Sequence, residues 1–285
     1  MSIQSALFEL DPKPDLPEKI GGAIVTERTA RQILTTAKGM ISSYDFSLNP
    51  YVGCSFGCAY CYAAFFVAED RKAADWGKWV EVKTNALELL RREARVSGAK
   101  VYVGSVTDPY QPLEAKVSLT RSLLDHMATL APQPSLVIQT RSPLVARDID
   151  LLLRFSRLRV NMSVTTDDDE TRRRFEPGCA SIGRRLQAVE QLTNAGVPTN
   201  ICLSPMLPVT DVYAFADRLA KTGANRVTAS YFHLGTRKFV AGTRENALSI
   251  AKDMGWNFER YLETVSVLRR LVPGFVSSEA AFGPE

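Results

Sequence analysis

Asn49-Pro-Tyr-Val-Gly-Cys54-Ser-Phe-Gly-Cys58-Ala-Tyr-Cys61-Tyr62 carries three cysteines at spacings of four and three, directly after an apolar run at Phe46–Val52. Thiols this dense on one loop hold zinc or an iron–sulfur cluster. A structural zinc site needs four ligands, yet the only histidines, His126 and His233, and the other cysteines, Cys179 and Cys202, are far along the chain. A cubane has four iron corners, so three thiolates leave one iron free to bind something else. An open corner marks a functional site, because a structural centre is normally closed. Gly53 and Gly57 let the loop fold tightly. The competing readings are a zinc site completed by Cys179 or Cys202, and coincidental buried thiols.

Around that loop stand 285 residues, 45% apolar and 23% charged, a globular balance. Five cysteines cannot all pair, which argues against a disulfide scaffold. The opening MSIQSALFELDPKPDLPEK has acids and prolines where a signal peptide needs a basic end and an apolar run. No stretch of 18 apolar residues occurs. The expectation is a soluble protein of a reducing, cytoplasmic compartment with no membrane partner. Net charge is −1 over residues 1–50, +3 over 51–200 and +2 over 201–285, with both signs interspersed. Charge therefore does not indicate nucleic acid as a partner, since nucleic-acid binders concentrate it on one face.

Pro12, Pro14 and Pro17 exclude a helix at the start, and a helix is expected across Thr29–Met40. From Phe46 on, short apolar runs alternate with helical periods. The runs are Phe46–Val52, Lys100–Val106, Leu136–Gln139, Arg159–Thr165, Thr199–Leu203 and Val227–Phe232. Leu119, Leu123, Leu124, Met127 and Leu130 form an apolar helical stripe, as do Leu186, Val189 and Leu192, and Val212, Phe215, Ala216 and Leu219. Strands alternating with helices predict right-handed βαβ units and a parallel sheet. In Arg159–Thr165, Val160, Met162 and Val164 alternate with Asn161, Ser163 and Thr165, which suits a barrel strand with helices on one face and a polar interior on the other. The fold class is α/β, a partial barrel of six βα units. Residues 1–45 read as an N-terminal extension, 46–235 as the barrel and 236–285 as a C-terminal helical segment. Phe258, Tyr261, Leu262, Val265, Leu268 and Leu271 mark the last helix, stopped by Pro273-Gly274.

The Cys-x3-Cys-x2-Cys spacing, with Tyr60 before the last cysteine and a strand before the loop, resembles the cluster motif of radical S-adenosylmethionine (SAM) enzymes. The phrase NPYVGCSFGCAYCYA is similar to the subgroup related to spore photoproduct lyase. So are GSVTDPYQPLEAK at Gly104–Lys116, IQTRSPLVARDIDLL at Ile138–Leu152 and FEP at Phe175–Pro177. The resemblance covers roughly residues 45–235 and implies a six-unit partial (β/α) barrel, in agreement with the count above.

It implies a 4Fe-4S cluster on Cys54, Cys58 and Cys61, whose open iron chelates SAM. One electron then yields methionine and a 5′-deoxyadenosyl radical that takes hydrogen from the substrate. A primary carbon radical needs a walled, dry cavity, with ligands at the C-terminal ends of the strands. By position on those ends, Thr107 and Asp108 would accept from the methionine ammonium. Asp108 otherwise simply opens an Asp-Pro turn. Arg141 would bind the methionine carboxylate, a contact suited to a guanidinium. Ser163 and Thr165 would reach the carboxylate or ribose, and Tyr60 and Tyr62 would flank adenine or shield the iron. Glu176 with Arg184 or Arg185 reads as a supporting ion pair, and Arg172–Arg174 as a solvated helix start.

Spore photoproduct lyase, which repairs a thymine dimer in DNA, uses a further cysteine as hydrogen donor near the end of the second strand, where this chain has Ser105-Val106-Thr107-Asp108. Cys202 on the fifth strand, or Cys179 after the fourth, would be the substitute donor. The chain is thus expected to be a lyase-like radical SAM enzyme acting on an unidentified organic substrate, with a flavodoxin or ferredoxin as electron donor. The alternatives are DNA photoproduct repair and a non-catalytic iron–sulfur electron carrier or sensor.

Overall fold

In the computed structural model, residues 15–233 and 239–276 are described. The strands in chain order are β1 Lys19–Ile20, β2 Ala23–Arg28, β3 Leu34–Thr36, β4 Phe46–Leu48, β5 Tyr51–Gly53, β6 Trp79–Lys83, β7 Lys100–Val103, β8 Ser135–Thr140, β9 Leu158–Ser163, β10 Thr199–Leu203, β11 Arg226–Ala229 and β12 Phe275–Val276. The larger sheet runs β12-β11-β10-β9-β8-β7-β4-β3. Every neighbouring pair in it is parallel except β3 with β4. Among the described residues the two edge strands do not pair with each other, so the barrel is partial; β4, β7, β8, β9, β10 and β11 are the six expected staves, and the two-residue β12 adds a seventh parallel strand.

Strand periodicity sorts the side chains. On the outer face Val101, Ile138, Val160, Met162, Ile201 and Val227 are buried in one continuous apolar core with the helices. Helix Leu119–Ala128 contributes Leu119, Leu123, Leu124 and Met127, and burying each such side chain stabilises the fold by about 1.5–3 kcal/mol. Asp211 caps helix Val212–Lys221 and Asn257 caps helix Phe258–Leu271, each accepting from backbone N–H groups of the first turn. The opposite face is polar. Gln139 lies level with Asn161 and Asn200, and one step higher Ser163 lies level with Cys202 and Thr228.

Three expectations change. The run Phe46–Val52 is two strands in two sheets, broken at Asn49-Pro50. Proline cannot donate to a ladder, and the Asn49 side chain is spent on the β7 loop, donating to Ser105 Oγ and accepting from Val106 N, both at 3.0 Å. The helix expected across Thr29–Met40 is absent. β3 and a 3-10 turn at Gly39–Ile41 occupy it, because Ile33, Thr35 and Thr36 are β-branched and favour a strand. Strands drawn through Val106, Thr165 and Phe232 stop at Val103, Ser163 and Ala229, and the remaining residues form loops at the C-terminal ends.

A second sheet, β1-β2-β6-β5, was not visible as a unit in the sequence. In it β2 and β6 are parallel and β5 returns antiparallel to β6, so Gly53 delivers the chain straight into Cys54. Residues 19–36 thus supply strands to both sheets. Pro12, Pro14 and the boundary placed at 235–236 lie outside the described residues.

Candidate cluster and cofactor site

The cysteine loop is pinned from three directions. From the β7 side, the Thr107 hydroxyl donates to Gly53 O at 2.6 Å, and the Gln111 side chain accepts from Ser55 N at 2.9 Å. From the turn after the fourth barrel strand, Phe175 O accepts from Ala59 N at 2.7 Å, and Gly178 N donates to Phe56 O at 3.2 Å. On the third side Gly57, at φ +61°, meets Gly77 backbone to backbone, where a Cβ would lie 3.2 Å from the Gly77 Cα. A Cβ at Gly178 would stand 2.7 Å from Ser55 O and 2.9 Å from Phe56 O. Gly178→Ala is therefore expected to cost about 1–3 kcal/mol of stability, since overpacking forces the backbone apart. Thermal denaturation measures it, and an unchanged midpoint would show that turn and loop separate freely.

Cys54, Cys58 and Cys61 line one cavity at the C-terminal ends of the strands. Cys54 and Cys58 are buried and Cys61 is half-buried. Among the described residues no three His, Cys, Asp or Glu side chains converge to hold a single metal ion. Three thiols on one cavity lining are a donor set that fits an iron–sulfur cluster in which each serves a different iron. Burial and the Cys58 thiol push Cys61 up to about 11, and burial, Asp108 and the other two thiols also raise Cys54 above the usual thiol range. Cys58 is the exception. Burial opposes its ionisation, but a hydrogen bond with Cys179 and the Arg141 guanidinium together hold it below the usual thiol range.

The same cavity is lined by Tyr60, Thr107, Asp108, Arg141 and Ser163. Arg141 is the pivot, with Nη1 donating to Cys58 Sγ at 2.8 Å and to the Tyr60 hydroxyl at 2.7 Å. The Asp108 carboxylate accepts from Thr140 Oγ1 at 2.7 Å, Tyr110 N at 2.9 Å and Arg141 N at 2.8 Å, so it both makes the Asp-Pro turn and fixes the end of β8. Burial raises its pKa above the ordinary carboxylate value. Ser163 accepts from Gln139 Nε2 at 3.0 Å, and Tyr102 donates to Gln139 Oε1 at 2.9 Å.

Two expected residues stand apart. Thr165 is fully buried and donates to Glu176 Oε1 at 2.9 Å rather than facing the cavity. Cys202 is buried on the inner face of β10, level with Ser163 of the lining, but is not itself part of that lining. The ion pair of Glu176 is with Arg185, at 2.5 Å, while Arg184 is exposed. Arg172 is not solvated. It is 7% exposed and donates to Cys179 O at 2.9 Å, bracing the turn that holds the loop, whereas Arg173 and Arg174 are exposed. Tyr102, Gln139, Ser204 and Ser230, which complete the cavity floor, escaped the sequence reading. Their only local signal was the inward alternation of β7, β8, β10 and β11.

The family model described as the Radical SAM superfamily matches residues 48–219. An uncharacterized protein of Methanocaldococcus jannaschii is 34% identical over 168 residues, 59% of this chain and 62% of that one. A Pseudomonas phage M6 protein named radical SAM Nα-GlyT isomerase is 28% identical over 195 residues, 66% of this chain and 39% of its own. The chain thus spans about three-fifths of the archaeal relative's length. A mutant spore photoproduct lyase, solved with bound AdoMet and dinucleoside spore photoproduct, superposes with a TM-score of 0.58 at 14% identity, over 90% of this chain and 81% of that one. At that identity the likeness shows the fold alone. With the family match extending over more than half of the residues, the chain belongs to the radical SAM superfamily, whose cofactors are a 4Fe-4S cluster and SAM.

Proposed function

We propose that Cys54, Cys58 and Cys61 hold a 4Fe-4S cluster, and that the enzyme cleaves SAM reductively to start hydrogen abstraction from an organic substrate. The observation that carries this reading is the sharing of one cavity by the three thiols with Asp108, Arg141 and Ser163. The cluster with SAM supplies the one-electron cleavage that yields the 5′-deoxyadenosyl radical. This chain's residues bind and orient. The Arg141 guanidinium is held by Tyr60 and the Glu176 carboxylate and offers its remaining N–H groups to the methionine carboxylate. Asp108, anchored by three donors, keeps a lone pair for the ammonium. Ser163 faces the ribose, and Thr165 acts through Glu176. Met40, Tyr62, Trp76 and Val106 on the wall exclude water.

The floor, Tyr102, Gln139, Ser163, Ser204 and Ser230, offers hydroxyls and an amide and no charge. It suits an uncharged polar group on the substrate. A nucleobase is the second reading, favoured by that floor and by the names of the phage relative and the lyase structure. Under it Cys202 is the hydrogen donor. Burial pushes its thiol up to about 11, so it keeps its S–H. The lyase-like reaction, the flavodoxin or ferredoxin donor, the cytoplasmic setting and the division at 45/46 and 235/236 belong to this proposal too. Among the described residues no helix is long and apolar enough to cross a membrane.

Anaerobic reconstitution with iron and sulfide tests the reading. The expected result is about four irons per chain and release of 5′-deoxyadenosine from SAM with dithionite. Stoichiometric zinc with no deoxyadenosine overturns it. An iron centre whose spectrum ignores SAM leaves the electron carrier instead.

A further inference from the structure

The outer side of the cysteine loop borders a second cleft, separate from the barrel interior. Phe56, Pro112, Ala115, Pro143, Leu144 and Cys179 form its apolar part, and Arg147 and Arg184 also line it. Cys179 lines this cleft and not the interior cavity, whereas Cys58 lines the cavity and not the cleft. Their sulfur atoms are 3.7 Å apart. The two side chains therefore form a two-sulfur bridge from the outside of the fold to the cluster loop. The bridge is held in place, with Cys179 N donating to Glu176 O at 3.1 Å and Arg172 gripping Cys179 O.

Charge around the cleft is lopsided at the surface. The nearby carboxylates of Glu114 and Asp148 are fully buried and already paired with Arg147. Arg184 in the lining and Lys116 beside the lining Ala115 are exposed, against one exposed carboxylate, Glu190 beside the lining Gln191, and no carboxylate lies within salt-bridge distance of either cation among the described residues. An apolar centre with cations at its edge is the form of surface that an acidic protein recognises. The barrel mouth does not serve this purpose, because SAM and substrate occupy it at the moment an electron is needed.

We propose that this cleft is the docking surface for an acidic one-electron carrier protein, which reduces the cluster across the Cys179 and Cys58 sulfur atoms. The proposal rests on the reading that the three-cysteine loop holds the cluster. In the step, the carrier is oxidised by one electron and the cluster is reduced by one. No bond forms or breaks.

The test uses reconstituted protein with an acidic flavodoxin as the probe. Binding of oxidised flavodoxin is titrated calorimetrically at low and high salt. Bleaching of the cluster's visible absorbance is followed with reduced flavodoxin and, separately, with dithionite. Arg184→Glu and Ala115→Glu are each expected to weaken flavodoxin binding and slow flavodoxin-driven reduction about tenfold, with a reduced salt dependence. Dithionite-driven reduction and SAM cleavage stay at the wild-type rate. Cys179→Ala is expected to slow the flavodoxin-driven step while leaving its affinity unchanged. If both charge variants bind flavodoxin and accept its electron like the wild type while dithionite works, the docking proposal is overturned and the site reading stands. If dithionite drives no SAM cleavage in any form, both fall.

Discussion

Replacing Glu176 by alanine is expected to lower the unfolding free energy by about 3–5 kcal/mol, the range seen when one partner of a buried ion pair is removed. The Glu176 side chain is fully buried, and so is its partner Arg185. One carboxylate oxygen accepts from Arg185 at 2.5 Å. The other accepts from Thr165 at 2.9 Å and from the Tyr60 hydroxyl, with Arg141 Nη1 at 3.5 Å. Without the carboxylate, Arg185 becomes a buried cation with no counter-charge, and Tyr60 and Arg141 lose the group that aims them toward Cys58. Burial alone would raise the Glu176 pKa, but the Arg185 and Arg141 charges outweigh it and hold the carboxyl down at about 2. A carboxyl depressed in the folded state contributes stability that is full above its unfolded value of about 4.3 and is lost as pH falls toward the folded one. Glu176→Gln keeps the shape and removes the charge. It is expected to be less stable than wild type at neutral pH and to show a shallower decline between pH ~4.3 and ~2. Urea denaturation across that window reads both effects. Equal stability of the two proteins at neutral pH would show that packing, not charge, holds this network.

That network shows where sequence reading ends. The three-cysteine loop is legible because its residues are neighbours in the chain. The polar face of β9 is legible because a strand alternates, so Asn161 and Ser163 separate from Val160 and Met162 on inspection. The helices at Leu119–Ala128, Ile182–Asn194 and Val212–Lys221 are legible for the corresponding reason, an apolar stripe of their own period. Tyr60, Arg141, Thr165, Glu176 and Arg185 have no such period. They come from five separate places in the chain and are joined only by the fold, so neither the role of Thr165 nor the choice of Arg185 over Arg184 has a local signal. Thr107 illustrates the same limit. Its position at the end of β7 is readable, but its hydroxyl is spent on Gly53 O, a carbonyl in the other sheet. The second sheet itself was hidden because β2 and β6 pair across a long stretch of chain that includes the whole cysteine loop.

The five cysteines are expected to divide by position rather than by type. Cys54→Ala and Cys61→Ala should each drop bound iron from about four per chain to a small fraction and abolish 5′-deoxyadenosine release, since each removes one of the three proposed thiolate ligands. Cys202→Ala should keep full iron and full SAM cleavage, because Cys202 does not line the cavity that the three loop cysteines share. Any loss there appears only in hydrogen return to the substrate. Cys58 differs from the other ligands in having a neighbour, the Cys179 thiol at 3.7 Å. A side chain that close replaces the missing ligand with a small movement of the turn at Glu176–Cys179. Cys58→Ala is therefore expected to retain part of its iron, and the double variant Cys58→Ala/Cys179→Ala to lose it. Iron and sulfide assays after anaerobic reconstitution, with the spectrum recorded with and without SAM, separate the five variants. If Cys58→Ala is as empty as Cys54→Ala, Cys179 cannot reach the cluster. If Cys202→Ala is also empty, the cluster is not where the three-cysteine loop puts it.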